Sequence, residues 1–409
     1  MTRPSRSPSA SIAQPVVAGI VASVTGFASS FAIVVAGLRA VGASPAEAAS
    51  GLLVLTLFQG VLAIGLGLRF RQPLAFAWST PGAALLVAAR HTTGDFRAAV
   101  GAFLLCGVLL LITGLWPWLA RAMTRIPRPI ASAMLAGVLL PICLSPATAA
   151  VTLPLLALPA IVVWLVLLRF APRWAVAGAV VAVLIAIIIS QPHVAGPHLL
   201  PTLRLVVPIF DPLVLVSIGV PLYIVTMAGQ NVPGFAVLRT FGYERPPARA
   251  ALVSSGGATV VGSFLGAHAL NLAAITAAMV AGPDAHPDRD RRWIASVTGG
   301  VAYLALAALS GAASALVSAS APVLIEAVAG LALLGALVGA LVAAFEETEH
   351  RIVAAATFLV VASGIQVIGI GAPFWGLVVG GVVMLWLGVR RRRAASDPGA
   401  AEDPEPADG

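Results

Sequence analysis

Long apolar runs separated by short polar turns fill the chain from about residue 14 to residue 389. A bilayer core about 30 Å thick requires roughly 20 apolar residues in each helix that crosses it. Division at charges, prolines and turn residues predicts seven spans on either side of a connector. The first seven are residues 14–38, 47–68, 73–90, 96–120, 128–146, 148–169 and 174–190. The second seven are residues 212–240, 247–265, 267–282, 292–314, 321–345, 350–369 and 373–389.

The distribution of arginine tests this division, because cytoplasmic loops of membrane proteins carry an excess of basic residues. All 24 basic residues are arginines, and with a cytoplasmic amino terminus 20 of them fall on the inside. The four on the outside are Arg39, Arg90, Arg97 and Arg204. A miscounted span would reverse the side of every later loop, so this bias favours an even number of spans with both termini in the cytoplasm.

Seven spans in each half place the second half upside down relative to the first, which is the condition for an inverted-topology repeat. We therefore predict an all-α polytopic protein of about 14 spans with a 7+7 inverted repeat, in a bacterial inner membrane. A chain that is 59% hydrophobic and 10% charged has too little polar surface for a soluble globule of 409 residues. The net charge of +8 follows from the arginine-rich loops, so we expect no nucleic-acid partner, and no cofactor or metal cluster is indicated.

The third predicted span is interrupted. Its sequence, LAFAWSTPGAALLVAAR, reads as an extended stretch, then Ser79 or Thr80 as a helix cap, then Pro81 at the first helical position. A helix that begins inside the membrane presents unpaired N–H groups and partial positive charge near the midplane. The alternative is that Pro81 only kinks a continuous helix.

The tenth predicted span has a break at the matching position. In SFLGAHALNLAAITAAMVAG, Gly266, His268 and Asn271 precede a short apolar helix. Because the two spans run in opposite directions, their helix starts should face one another across a slot suited to a carboxylate. The alternative is that His268 and Asn271 bond only to neighbouring backbone.

The eighth predicted span adds Gln230 and Asn231, whose amides are costly in lipid unless they are hydrogen-bonded. They either line the slot or form a helix–helix hydrogen bond. Thr25, Ser29 and Ser30 of the first span are better interpreted as packing residues. The predicted substrate-binding residues are Ser79, Thr80, Gly82, Ala83, Gln230, Asn231, His268, Leu270 and Asn271.

Three strings in this order, WSTPGAALL (78–86), TMAGQNVPG (226–234) and GAHALNLAAITAA (266–278), resemble the benzoate:proton symporter family, BenE. The resemblance covers essentially the whole membrane region. More distantly, the chain is similar to nucleobase permeases and sulfate-permease-like carriers, whose seven-plus-seven fold has a core domain (spans 1–4 and 8–11) and a gate domain (spans 5–7 and 12–14). The implied segments are a cytoplasmic tail (1–13), core domain (14–120 and 212–314), gate domain (121–191 and 315–390), connector (192–211) and disordered tail (391–409).

The resemblance implies proton-coupled import of benzoate or a related aromatic carboxylate by alternating access. The nucleobase permeases carry glutamates in spans 8 and 10, whereas the matching segments here offer Gln230, Asn231, His268 and Asn271. Neutral donors suit a carboxylate and argue against uracil. The expected partners are the aromatic carboxylate, a proton and the lipid bilayer, with a homodimer left open. The alternative is a carrier or channel for another small anion or a nucleobase.

A co-transported cation is needed because moving an anion inward against the membrane potential costs about 2.3 kcal/mol per 100 mV. His268 is one candidate proton carrier, since it lies in the predicted site and an unperturbed histidine titrates at about pH 6.5. Glu326 in the twelfth predicted span is the second candidate. The carboxylate of the substrate is a third, in which case no side chain needs to titrate.

An integral-membrane transferase is the competing class, and it would need carboxylates to hold Mg²⁺ at the membrane face. Only Asp284, Asp288 and Asp290 suggest such a cluster, and the arginines between them favour a solvated turn. His193 and His198 in the connector are better interpreted as loop residues than as a metal pair. We therefore predict that the protein is not an enzyme.

The arginine bias predicts where the carboxyl terminus lies. A topology reporter fused after Arg393 should show activity characteristic of the cytoplasm, and a reporter placed in the 90–97 loop should show the opposite. A periplasmic reporter after Arg393 would contradict the even number of spans.

Overall fold

A computed structural model of the chain describes residues 12–116, 127–190, 202–319, 321–368 and 370–395, most of which are helical. Besides short 3₁₀ turns, it contains α1 (Ala13–Ala40), α2 (Pro45–Phe70), α3 (Thr80–Ala88), α4 (Phe96–Leu115), α5 (Arg128–Thr152), α6 (Pro154–Phe170), α7 (Ala175–Ser190), α8 (Pro212–Thr240), α9 (Ala248–Ser263), α10 (Ile275–Ala281), α11 (Trp293–Ala307), α12 (Ser310–Ala319), α13 (Pro322–Phe345), α14 (Arg351–Ala362) and α15 (Ala372–Ala395). The strands are β1 (Phe76–Trp78), β2 (Leu270–Leu272), β3 (Gln366–Val367) and β4 (Ile370–Gly371).

Six of the described helices are long and apolar enough to cross a bilayer by themselves: α1, α2, α4, α5, α8 and α13. A seventh span results if α11 and α12, which meet at a bend of 59°, are counted together. The chain is therefore a multi-pass membrane protein. Two further apolar stretches, Pro154–Phe170 of α6 and Ala372–Gly388 of α15, are shorter than this criterion requires. The count of 14 spans and the inverted repeat therefore stay predictions.

The predicted break between the fifth and sixth spans is wrong. Division of the sequence ends the fifth span at residue 146, but α5 continues through Pro141 and Pro146 to Thr152. Membrane helices tolerate interior proline where neighbouring groups satisfy the freed carbonyls. The chain leaves helical geometry only at Leu153 (φ −136°, ψ 60°), immediately before α6 begins.

Two boundaries near the carboxyl end also differ from the prediction. The helix of the thirteenth predicted span ends at Ala362, and the β3–β4 hairpin follows it. Helix α15 continues to Ala395, beyond the predicted end of the fourteenth span at residue 389. The parts of the prediction that lie outside the described residues are 1–11, 117–126, 191–201, which includes His193 and His198, 320, 369 and 396–409.

The helices pack in two groups. In the first, α4 lies along α9, and α11 packs against both α1 and α2. In the second, α5 packs against α13 and α14, and α14 packs against α15. The two groups meet where α1 contacts α13 and where α3 contacts α5.

Strands β1 and β2 form a short antiparallel ribbon buried inside the bundle. Ala77 is opposite Asn271 in this ribbon, and the pairing extends on both sides through hydrogen bonds from Ser79 N to Ala269 O and from Ala273 N to Ala75 O, each 2.8 Å. Non-helical backbone at membrane depth is stable only where protein groups satisfy its N–H and C=O groups. Each of the two interrupted segments therefore supplies hydrogen-bond partners for backbone N–H and C=O groups of the other.

Close packing of α4 and α9 generates a stability prediction. A Cβ added at Gly256 of α9 would lie 2.5 Å from the backbone nitrogen of Leu111, whereas at Gly257 its nearest neighbour would be the Leu111 side chain at 4.0 Å. We expect Gly256→Ala to lower the free energy of unfolding by about 1–3 kcal/mol, because overpacking displaces backbone.

The matched control, Gly257→Ala, introduces the same methyl group one residue later. It should leave stability unchanged or raise it by up to about 1 kcal/mol, since alanine is the better helix former. Thermal unfolding in detergent measures both variants. Equal effects would contradict the helix contact described for Gly256.

Candidate functional site

A small cavity of about 50 Å³ lies where α3 and α10 begin. Thr80, the first residue of α3, and Thr276, in the first turn of α10, both line it. Helices α1, α2, α8, α11 and α13 supply the other walls. The lining consists of Gly26, Ser29, Ser30, Gln59, Ala77, Trp78, Thr80, Gln230, Ala273, Thr276, Tyr303, Ala332 and Leu333. Polar groups from separate elements thus converge on one point between the two interrupted segments.

Ser79 builds the start of α3. Its Oγ accepts hydrogen bonds from Gly82 N (3.1 Å) and from Thr226 Oγ1 of α8 (2.8 Å), and its carbonyl accepts one from Ala83 N (2.8 Å). A Cβ at Gly82 would lie 2.5 Å from Leu222 Cδ1, so a side chain there would displace the Leu222 side chain of α8. Ser79, Gly82 and Ala83 form the helix start, and Thr80 is the member of this set that lines the cavity.

The two adjacent amides of α8 both bond to the tenth-span segment. Gln230 Oε1 accepts from Ala274 N (3.2 Å), and Asn231 Oδ1 accepts from Leu272 N (2.9 Å). A turn of π-helix at Met227–Asn231 lies at this point of α8, a distortion that often occurs at functional sites. Gln230 also lines the cavity, whereas Asn231 does not.

Of the nine predicted site residues, only Thr80 and Gln230 line the cavity. The three from the tenth-span segment, His268, Leu270 and Asn271, all lie outside it. His268 Nδ1 accepts from Ala269 N (2.7 Å), and its ring meets Phe103 of α4 edge to face at 6.3 Å. Leu270 N donates to Thr259 Oγ1 of α9 (3.0 Å). The backbone N–H groups of residues 270, 272 and 273 thus already have partners in the bundle.

Sequence reasoning missed several cavity residues, notably Gln59, Thr276 and Tyr303. Gln59 and Tyr303 are isolated polar side chains within long apolar runs, LTLFQGVLA and GVAYLALA, and that isolation was the available signal. Ser30, interpreted above as a packing residue, accepts a hydrogen bond from Trp78 Nε1 (2.9 Å) and lines the cavity together with Ser29. Trp78 was visible only as part of a family-like string.

The lining contains no Asp, Glu, Lys, Arg or His side chain. Its polar side chains are neutral hydroxyls and two amides, which do not repel an oxygen anion. Ser29 and Ser30 already donate to Gly26 O. The donors for a ligand are therefore Thr80, Thr276 and the side-chain amides. Its apolar surface comes from residues such as Trp78 and Leu333. The site is therefore suited to a small ligand that is partly apolar and partly oxygen-rich.

Glu326 lies on α13, seven residues before Leu333, or about 10 Å along the helix. Its Oε2 accepts from Ser145 Oγ of α5 (3.4 Å). It lines two neighbouring cavities of about 370 and 320 Å³; Arg90 lines both of them and Arg39 lines the second. This region is the end of the bundle that the arginine bias assigns to the outside.

Two larger cavities, of about 700 and 780 Å³, lie at the periphery and have largely apolar linings. We assign the site to the 50 Å³ cavity because only there do the two interrupted segments and their polar supports meet. Among the described residues, no group of three His, Cys, Asp or Glu side chains is arranged to hold a metal ion. In the acidic turn, Asp288 pairs with Arg291 at 3.6 Å and accepts from Asp290 N.

Solved structures identify the class to which this fold belongs. The chain is similar to the transmembrane domain of a cyanobacterium bicarbonate transporter, BicA, with a TM-score of 0.55 and 15% identity over 92% of this chain and 97% of that one. It is also similar to SLC26A9, with a TM-score of 0.59 and 12% identity over 92% of this chain and 66% of that one. A third similar structure is murine Slc26a9, an anion transporter in the inward-facing state. Its TM-score is 0.58, with 13% identity over 95% of this chain and 70% of that one. At these identities the likeness establishes the fold alone, which is that of membrane transporters.

Sequence comparison identifies the family. Residues 9–386 match the family model described as benzoate membrane transport protein, BenE. The chain is 39% identical over 371 residues to the inner membrane protein YdcO of Escherichia coli (strain K12), covering 89% of this chain and 93% of that one. It is 31% identical over 328 residues to the benzoate membrane transport protein of Acinetobacter baylyi (strain ATCC 33305 / BD413 / ADP1), covering 78% of this chain and 81% of that one. The chain belongs to the BenE family.

The contact between Asn231 and β2 generates a stability prediction. Asn231→Leu would leave Leu272 N–H buried without its acceptor, which should lower the free energy of unfolding by about 1–3 kcal/mol. Thr240→Val on the same helix removes an exposed hydroxyl that bonds only within α8 and should change stability by less than about 0.5 kcal/mol. Thermal unfolding in detergent is the measurement. An Asn231→Leu protein as stable as the parent would show that this amide does not support the ribbon.

Proposed function

We propose that this member of the BenE family is a secondary active transporter that imports benzoate or a related aromatic carboxylate with a proton, by alternating access. The observation that carries the proposal is the neutral, donor-rich cavity between the starts of α3 and α10. Similarity to the Acinetobacter relative, a benzoate membrane transport protein, supports the same substrate class.

The cavity offers distinct surroundings to the two ends of such a substrate. Hydroxyls of Thr80 and Thr276 and the amide of Gln230 can donate to carboxylate oxygens, while Trp78 and Leu333 offer apolar surface to an aromatic ring. Absence of an acidic side chain from the lining removes the repulsion that a carboxylate would otherwise meet. This chemistry favours an anion over a nucleobase.

The size of the cavity supports a moving-domain mechanism. A volume of about 50 Å³ accommodates little more than a water molecule, whereas pockets that enclose small organic ligands measure about 300–1,000 Å³. Ala332 and Leu333 of α13 close one side of it. Since α13 packs mainly with α5, while α1, α2 and α11 pack with one another, we infer that a gate group containing α5 and α13 moves against a core group containing α1–α4 and α8–α12.

The geometry ranks the candidate proton carriers. His268 is fully buried behind the ribbon and does not line the cavity. Glu326 lines cavities at the predicted outer end of the boundary between α13 and the core group, where a change in exposure during gate movement is expected. Glu326 and the carboxyl group of the substrate are therefore the better supported carriers.

Uptake of radiolabelled benzoate into proteoliposomes tests the proposal, with the pH gradient and the membrane potential imposed separately. An acidic exterior should drive accumulation by the parent above the level in protein-free liposomes, which control for permeation of the neutral acid. Uptake that ignores the pH gradient would reject proton symport, and uptake equal to that of protein-free liposomes would reject this substrate.

Two matched amide variants separate the carriers. His268→Gln should retain the response to the pH gradient, because the ring lies outside the cavity. If Glu326 carries the proton, Glu326→Gln should lose that response while still exchanging labelled for unlabelled benzoate. If both variants respond like the parent, the proton travels on the substrate, and loss of coupling in His268→Gln alone would overturn the ranking.

A further inference from the structure

Gln59 of α2 has a buried side-chain amide whose hydrogen-bonding capacity is unused. The residue is 0% exposed, and neither Nε2 nor Oε1 has a partner within the part of the chain that the structure describes. It lines the cavity together with Thr80, Gln230 and Thr276. Native proteins rarely leave both a donor and an acceptor of one buried group unpaired, because each such group lowers stability.

The surroundings of Gln59 show why its partner has to come from the cavity. Thr56, one turn earlier on α2, satisfies its hydroxyl by donating to Leu52 O (2.6 Å) within its own helix. Gly60, the next residue, packs directly on Gly300 of α11, where an added Cβ would lie 2.8 Å from the carbonyl oxygen. This close contact between α2 and α11 fixes the position of α2 beside the cavity that Gln59 lines.

The other amide of the lining is already engaged. Gln230 Oε1 accepts from Ala274 N, and in the same wall Trp78 Nε1 donates to Ser30 Oγ. Gln59 therefore differs from Gln230 and Trp78, each of which has a side-chain hydrogen bond to another protein group. An unpaired amide in the wall of the proposed binding cavity is the pattern expected of a residue that contacts substrate.

The donor and acceptor atoms of the Gln59 carboxamide limit which ligand groups can satisfy both of them. A carboxylate only accepts hydrogen bonds, so it would pair with Nε2 and leave Oε1 buried and unpaired. An O–H group accepts from Nε2 and donates to Oε1, and thus satisfies both atoms. Resting on the transport function proposed above, we propose that Gln59 is a substrate ligand that binds an O–H group of the aromatic acid.

Two sources of this O–H group share the same chemistry: a hydroxyl substituent on the ring, or the proton of the undissociated carboxyl group. The cavity lining contains no carboxylate or imidazole that would remove a proton from either one. The first source makes hydroxybenzoates better ligands than benzoate. The second makes the substrate its own proton carrier.

Direct binding to the purified full chain distinguishes these sources. Equilibrium dialysis with labelled benzoate and its three monohydroxy derivatives, at neutral and mildly acidic pH, would be performed on the parent, Gln59→Leu and Gln72→Leu. Gln72 is the matched control, because it lies outside the cavity at the end of α2 and donates from Nε2 to Arg245 O. Gln59→Leu should weaken binding of the preferred ligand by about 5- to 100-fold through loss of two hydrogen bonds, and Gln72→Leu should bind like the parent.

The ligands and the pH at which Gln59→Leu loses affinity identify the source of the O–H group. If the parent prefers a hydroxybenzoate and Gln59→Leu loses that preference, the ring hydroxyl is the partner. If the parent binds benzoate more tightly at acidic pH and Gln59→Leu loses that dependence, the protonated carboxyl is the partner. Three outcomes would overturn the assignment. In the first, Gln59→Leu binds as tightly as the parent, and in the second it binds more weakly while keeping the parent's preference for a hydroxybenzoate or for acidic pH. The third outcome is that Gln72→Leu shows the same loss of affinity as Gln59→Leu.

Thermal unfolding without ligand provides an independent readout. Leucine fills a similar volume without unpaired polar atoms, so Gln59→Leu should be as stable as the parent or have a melting temperature higher by about 2 °C. A substantial fall would mean that Gln59 has a structural partner and would overturn the assignment. If the parent binds no aromatic acid, the proposed transport function itself is wrong. Dialysis of the parent alone shows this, so it is distinguishable from failure of the Gln59 assignment.

Discussion

Backbone hydrogen bonding in lipid is the constraint on which this structure depends. Two segments leave helical geometry inside the bundle, and every N–H and C=O group that they release needs a protein partner. The β1–β2 ribbon supplies part of this pairing. Side chains supply the rest: Asn231 accepts from the backbone of β2, Gln230 accepts from the residue before α10, and Thr259 accepts from Leu270. Polar residues of α8 and α9 therefore make it possible for the chain to begin two helices within the membrane.

The two helix starts are chemically unlike, although both follow a buried strand. Ser79 caps α3 from within its own segment, whereas Ala274 before α10 offers no side-chain cap and depends on Gln230 from another helix. Gln230 is thus both a support of the ribbon and part of the cavity wall. A ligand that contacts Gln230 also acts on the geometry of α10, so binding and the arrangement of the tenth-span segment are physically linked.

Local signals in the sequence were sufficient to predict the interrupted segments. Ser79 and Pro81 predicted the start of α3, and the boundaries of α8 were predicted at 212 and 240. The lining of the cavity was harder to predict, because it depends on which face of each helix turns inward. His268 and Gln59 show the difficulty: both are isolated polar residues in apolar surroundings, yet the first lies behind the ribbon and the second lies in the cavity. The proline-containing α5 was cut too early because tertiary packing, which sequence patterns do not show, offsets the loss of helical hydrogen bonds.

The distribution of charge separates attraction of the substrate from its binding. Arg39 and Arg90 line cavities at the predicted outer end, where positive potential raises the local concentration of anions. The inner cavity holds only neutral donors. A fixed guanidinium there would strengthen binding in both orientations of the gate and slow release to the cytoplasm, whereas hydroxyls and amides bind strongly enough for selection and weakly enough for turnover. Neutrality of the inner site therefore agrees with the proposed proton-coupled carrier, in which the energy for accumulation would come from the coupled ion and not from affinity.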